Sequence, residues 1–168
     1  RDDYSCGVDL VDAGENTVMT RTFSKIYGLG GVRLGWAYCP ENICGVFMRS
    51  RTPFTVSAPA QAAGLAALKD AAFIKKAQDH NDAWLTWTTD KLQKMGLETT
   101  PSTANFVLAH FPEGGKHTAL AANAFLQERG IIVRVVEAYG FPNALRITIG
   151  LEAEMRALSD ALDAFMKT

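Results

Sequence analysis

The sequence predicts an α/β protein in two parts. Residues 1–72 read as the end of a larger strand-and-helix domain, and residues 73–168 as a small α+β domain entered through a long helix. Three observations carry this reading. Short runs rich in β-branched residues alternate with helical stretches. One long amphipathic stretch sits in the middle of the chain. The last third follows the order strand, helix, strand, strand, helix.

The elements follow in order. NTVMTRT (16–22) is rich in β-branched residues and predicts a strand; RLGWAYCP (33–40) predicts a second, ended by proline. Pro40 and Glu41 suit a first helical turn, so PENICGVFMRSR continues as a short helix. SAPAQAAGLAALKD (57–70) is alanine-rich and predicts a helix whose small residues pack closely. A long helix is expected over 71–95, with Phe73, Ala77, Trp84, Thr88, Leu92 and Met95 as its buried stripe. Gly96 is a natural C-cap. ANFVLAHF (104–111), IIVRVV (131–136) and ALRITIG (144–150) predict strands, and TALAANAFLQERG predicts a helix closed by Gly130. The last helix (151–167) has Glu152 and Glu154 in its first turn, favourable for the helix dipole. Its buried stripe is Met155, Leu158, Leu162 and Phe165. Tyr27, Trp36, Trp84 and Trp87 read as packing residues, and His80, His110 and His117 show no partner pattern. Two strands and two helices make a poor domain alone, so the first part is expected to sit in a larger, parallel sheet.

Composition narrows the function. In 168 residues, 48% are hydrophobic, which furnishes a core. Seventeen basic and 18 acidic residues leave a formal charge of −1 without a polybasic block, which argues against nucleic acid or an anionic membrane as partner. No apolar run approaches the roughly 20 residues of a membrane span, and no signal peptide is visible. Cys6, Cys39 and Cys44 are odd in number and lack metal-ligand spacing, so they read as idle thiols in a reducing cytosol, with no metal site. The chain opens in polar RDDYSCG without a methionine, and is expected to be part of a longer one.

The informative stretch is TRTFSKIYGLGGVRLGWAY (20–38). Lys25 stands eight residues before Arg33, with three glycines between them. GLGGVR is not a P-loop, since no Gly-Lys-Ser/Thr follows. It is not the dinucleotide fingerprint either, because Arg33 occupies the place of the third glycine. TFSK is a poor match to the Ser-x-x-Lys of serine β-lactamases: its first residue is Thr22, and the partner motifs are absent. On spacing alone, a surface lysine and a salt-bridged arginine in a glycine-rich turn remain the simplest account. Pyridoxal phosphate offers a sharper one. Its aldehyde and phosphate arm sit on adjacent ring carbons, so a lysine bonded to the first lies close to whatever holds the second. A dianionic phosphate favours a bidentate arginine and hydroxyl donors, and Thr22, Ser24 and Arg33 supply these around Lys25.

That stretch resembles the lysine segment of the fold-type I aminotransferases, and in particular the histidinol-phosphate aminotransferase branch. PFTVSAPAQAAGLAAL, PSTANFVL, IIVR and LRITIG resemble later segments of the same family, in the same order. The resemblance covers nearly the whole chain. It implies that the chain is the C-terminal portion of such an enzyme: the end of the large domain followed by the small domain. It implies that Lys25 carries the cofactor and later moves a proton, and that Thr22, Ser24 and Arg33 hold the cofactor phosphate. Arg146 matches the arginine that binds the substrate's anionic group, Arg134 its companion, and Asn105 a position near the substrate. Other readings stand beside these. Arg146 could serve a structural ion pair, Arg134 could pair with Glu137, and Ser24 could merely brace the turn.

The resemblance also implies the activity: amino-group exchange between L-histidinol phosphate and a 2-oxo acid, 2-oxoglutarate, by a cytoplasmic homodimer. An aromatic aminotransferase or a threonine-phosphate decarboxylase shares the lysine segment, and an inactive association module is the non-enzyme alternative. The family's ring-holding aspartate, aromatic, asparagine and tyrosine lie upstream of the lysine. Asp2, Asp3 and Tyr4 are not read as these, because RDDYSCG fits a loop better than a strand end. The chain alone is therefore expected to be inactive.

Overall fold

The computed structural model describes residues 4–14 and 16–168; Asp2 and Asp3 lie outside the described residues. The chain divides into two units, residues 1–77 and 78–168.

The first unit contains helix α1 (Val8–Ala13), strands β1 (Met19–Thr22) and β2 (Gly35–Tyr38), and helices α2 (Glu41–Ser50) and α3 (Ala58–Lys69). Its strands pair antiparallel, Met19 opposite Tyr38 and Thr22 opposite Gly35. Within this pair the parallel order expected of the larger sheet does not hold. Parallel neighbours need a crossover, usually helical, whereas the link between β1 and β2 is a run of tight turns that returns the chain beside itself. Gly35 is required at that junction, since a Cβ there would lie 2.7 Å from the Arg21 carbonyl oxygen. Helix α3 starts at Ser57, whose hydroxyl accepts the Ala60 N–H at 3.3 Å. Its small residues do allow close packing: a Cβ on Gly64 would collide with Leu34. The buried apolar residues here are few: Val11, Phe23 and Ala60. Trp36, read as packing, is 48% exposed. Tyr27 does pack, with its ring 4.8 Å from that of Phe23.

Helix α4 (Ala71–Lys94) runs from the first unit into the second. It buries Leu85, Thr88 and Leu92. Of the expected stripe only Thr88 and Leu92 are buried. Phe73 is exposed, while Ala77, Trp84 and Met95 are half-buried. The 3.6-residue period that reaches 88 and 92 passes through 85, one residue beyond Trp84. Trp84 instead packs on Trp87, with centroids 5.0 Å apart. Gly96 ends the helix with φ +84°.

The second unit is a four-stranded antiparallel sheet, β3 (Glu98–Thr100), β4 (Phe106–His110), β6 (Ala144–Thr148) and β5 (Arg134–Val135) in that spatial order, with helices α5 (Ala119–Gln127) and α6 (Glu152–Met166). Strand β3 escapes sequence reading because Glu-Thr-Thr has no apolar alternation. Only two of the six residues 131–136 pair, at the sheet edge. Val107, Ala109, Leu145 and Ile147 line the inner face and are essentially inaccessible. They pack with Leu92, Leu126 and the α6 stripe Met155, Leu158, Leu162 and Phe165. The Glu154 carboxylate accepts the Leu151 N–H at 2.7 Å, closing the first turn of α6. Among the described residues no helix is long and apolar enough to cross a membrane.

Candidate active site

The segment between β1 and β2 is a chain of turns locked by its own backbone. The Phe23 N–H donates to the Leu34 carbonyl at 3.0 Å, and the Leu29 N–H to the Phe23 carbonyl at 3.0 Å. Phe23 is buried, so it anchors the segment while its neighbours face outward. The Gly28 N–H closes a turn on the Lys25 carbonyl at 2.8 Å, with Gly28 at φ +68°. A short 3-10 turn over Gly30–Val32 follows.

The four residues expected to bind the cofactor, Thr22, Ser24, Lys25 and Arg33, sit on this frame. Thr22 ends β1 and its hydroxyl donates to the Ser24 hydroxyl at 2.9 Å. The same Thr22 oxygen accepts the Ser24 N–H at 3.0 Å. Ser24 thus does brace the turn, and its hydroxyl is held beside a second one. Lys25 follows directly, with its side chain exposed. Arg33 has φ +58° and ψ 54°, left-handed for a non-glycine residue. Such a conformation costs about 1–2 kcal/mol and persists only where its surroundings enforce it. Its guanidinium folds back, with Nη1 donating to the Gly30 carbonyl at 2.8 Å. That bond uses one of five N–H donors, leaving the others for an anion. Its acceptor, a backbone carbonyl, is a partner no sequence signal marks. The salt-bridged alternative is corrected: Arg33 binds a carbonyl, and no carboxylate pairs with it among the described residues.

The second unit holds Asn105, Arg134 and Arg146. Arg134 on β5 lies directly opposite Arg146 on β6. Leu108 of β4 is opposite Arg146 on its other side. These residues share the sheet face away from the inaccessible layer of Val107, Ala109, Leu145 and Ile147. Two like charges facing each other across a ladder are unfavourable without an anion between or above them. Arg146 is half-buried, its guanidinium carbon 5.2 Å from the centre of the Phe106 ring. Its Nε is buried without a hydrogen-bond partner. Arg134 is exposed and donates from Nη2 to the Tyr139 hydroxyl at 2.9 Å. The two ion-pair alternatives are therefore corrected. Among the described residues no carboxylate pairs with Arg146, and Arg134 uses Tyr139 where Glu137 was considered.

Asn105 is exposed in the bend before β4, and its carbonyl accepts the Ile149 N–H at 2.9 Å. The bend is fixed by Asn81, whose amide donates to the Ala104 carbonyl at 3.1 Å, and by Ser102, which bonds Phe106 and Ala104. Phe106 and Tyr139 belong to this cluster, and sequence reasoning missed both. Phe106 was read as a strand residue and Tyr139 as part of a turn.

Comparison with known proteins gives these residues a context. The model of the family "Aminotransferase class I and II" matches residues 2–162. The chain is 54% identical over 166 residues to the histidinol-phosphate aminotransferase of Rhodospirillum rubrum, covering 99% of this chain and 45% of that protein. It is 52% identical over 166 residues to that of Paramagnetospirillum magneticum, covering 99% and 46%. The crystal structure of histidinol-phosphate aminotransferase from Sinorhizobium meliloti in complex with pyridoxal-5'-phosphate is similar with a TM-score of 0.83. Identity there is 28%, covering 91% of this chain and 42% of that one. The chain thus spans about half the length of the curated relatives it matches. With a match that runs through both units, the chain belongs to the class I and II aminotransferases.

Proposed function

We propose that this chain is the C-terminal portion of a pyridoxal-phosphate-dependent histidinol-phosphate aminotransferase, exchanging the amino group of L-histidinol phosphate with 2-oxoglutarate. The large-domain portion is residues 1–72 and the small domain residues 73–168. The working enzyme is a cytoplasmic homodimer, and turnover belongs to the whole enzyme. The observation that carries the reading is the lysine turn: paired hydroxyls of Thr22 and Ser24 2.9 Å apart, an exposed Lys25 beside them, and a strained Arg33 with free donors.

This donor set fits a phosphate-bearing aldehyde. Hydroxyls and a guanidinium suit a dianion, and an exposed amine beside them suits a carbonyl carbon. Thr22, Ser24 and Arg33 hold the phosphate and so fix the cofactor's position. Pyridoxal phosphate, when bound, supplies the electron sink that lets an amino group pass between donor and oxo acid. Lys25 holds the cofactor and takes the proton from the substrate's Cα. Arg134 and Arg146 bind the substrate's anionic groups, filling the unpaired Arg146 Nε, and Asn105 borders the substrate.

The test is turnover by the whole enzyme with L-histidinol phosphate and 2-oxoglutarate, set against aromatic amino acids and threonine phosphate. Arg146→Ala should raise KM or lower kcat/KM and leave the cofactor's visible spectrum intact. A preference for aromatic donors, or decarboxylation of threonine phosphate, would overturn the substrate assignment. A spectrum lost along with activity would make Arg146 structural.

A further inference from the structure

Two of the three cysteines meet at the start of helix α2. Pro40 is the N-cap of that helix, and the Cys44 N–H donates to its carbonyl at 2.9 Å. Cys39 is thus the residue before the cap, and Cys44 the fourth residue of the helix. These are the two positions whose side chains touch across a helix entrance, where an apolar pair commonly packs. Here the pair is two thiols, neither in a disulfide. That placement bears on the chemistry of Cys39. Burial pushes its thiol above the ordinary range, and the charge and hydrogen bonding of Cys44 push it further the same way. Cys39 is half-buried while Cys44 is exposed.

We propose that Cys39 and Cys44 form a dithiol that a low-molecular-weight disulfide closes reversibly into an intramolecular bridge. The exposed Cys44 thiolate attacks the external disulfide, forms a mixed disulfide and releases one thiolate. Cys39 then loses its proton to solvent, attacks the Cys44 sulfur and expels the second thiolate. Two protein thiols are oxidised and one external disulfide is reduced to two thiols. The raised Cys39 thiol leaves less thiolate near neutrality, so the second step speeds up as pH rises. The bridge would tie the residue after β2 to the first turns of α2, with Arg33 just ahead of the same strand. This site is separate from the residues assigned to the cofactor.

The test equilibrates the chain with mixtures of oxidised and reduced glutathione, followed by acid quench, alkylation and tryptic mapping. Residues 34–49 fall on one peptide between Arg33 and Arg49, and Cys6 falls on another. The folded chain should give this peptide unalkylated and lighter by two hydrogens. Its closure constant should exceed that of the same chain in urea by about tenfold or more. Cys39→Ser should stop at a glutathione adduct on Cys44. Stable glutathione adducts on both cysteines of the unaltered chain, an unreacted Cys44, or equal closure with and without urea would each overturn the proposal.

Discussion

Replacing Arg146 with methionine should stabilise the second unit while removing its affinity for anions. The side chain is half-buried, with an Nε that has no partner, and faces Arg134 across the β5–β6 ladder. An unsatisfied buried donor costs about 1–3 kcal/mol. A like-charged cross-strand pair adds roughly 0.2–1 kcal/mol. Against these stands the stacking of the guanidinium on Phe106, worth about 0.5–1 kcal/mol where partly exposed. Methionine keeps an unbranched apolar stem against that ring. The net expectation is a gain on the order of 1 kcal/mol. In urea, where small proteins lose about 1–3 kcal/mol per molar, that is a rise in midpoint of roughly 0.5 M. The assay is urea unfolding of the chain followed by circular dichroism, with and without sulfate at matched ionic strength. Sulfate should stabilise the unaltered chain more than Arg146→Met, since its general exclusion effect acts on both and only a site that binds the anion gains beyond it. A variant that loses a kilocalorie or more, or that responds to sulfate as the parent does, would refute the reasoning. Arg146 would then be a packing residue.

Three further outcomes follow from the first unit. Arg33→Ala should weaken cofactor binding in the whole enzyme by roughly 1.5–3 kcal/mol, and Arg33→Lys should recover only part of it, as measured by spectral titration. Gly64→Ala should destabilise the first unit by no more than about 2 kcal/mol in urea unfolding, because overlap with the Leu34 side chain, worth about 1–3 kcal/mol, is partly offset by the roughly 1 kcal/mol that alanine gains over glycine in a helix. Tyr38 donates to the Asp12 carboxylate at 2.7 Å, and that bond and charge hold its phenol above the ordinary range. A raised folded-state value means stability present below the ordinary tyrosine range and lost as pH climbs through the raised one. The difference in urea midpoint between the parent and Tyr38→Phe should therefore shrink in that alkaline window; a constant difference would contradict the hydrogen bond.

Helices were the most legible elements in the sequence, because their signals are local. Ser57 and Gly96 mark real ends, and the α6 stripe of Met155, Leu158, Leu162 and Phe165 is buried as read. The α/β class was legible too, from the alternation of strand and helix signals. Strand pairing was not. The antiparallel β1–β2 ladder depends on how the chain turns between them, and β3 forms because β4 offers it an edge. The long helix misled at Phe73, where spacing alone cannot tell which unit a face serves. At the site, the residue types around Lys25 were readable; that the Thr22 and Ser24 hydroxyls lie 2.9 Å apart was not. The partners that hold them were not readable. A Gly30 carbonyl, a Phe106 ring and a Tyr139 hydroxyl are contacts made in space, and nothing in their sequence neighbourhood distinguishes them.

The central claim is that Lys25 bears the cofactor, and trapping tests it most directly. The whole enzyme, loaded with pyridoxal phosphate, is reduced with borohydride, digested with trypsin and mapped by mass spectrometry. Modification blocks cleavage after Lys25, so the predicted result is a single labelled peptide spanning residues 22–33, with Lys25 carrying the cofactor mass. Label on another lysine with Lys25 unmodified would contradict the account.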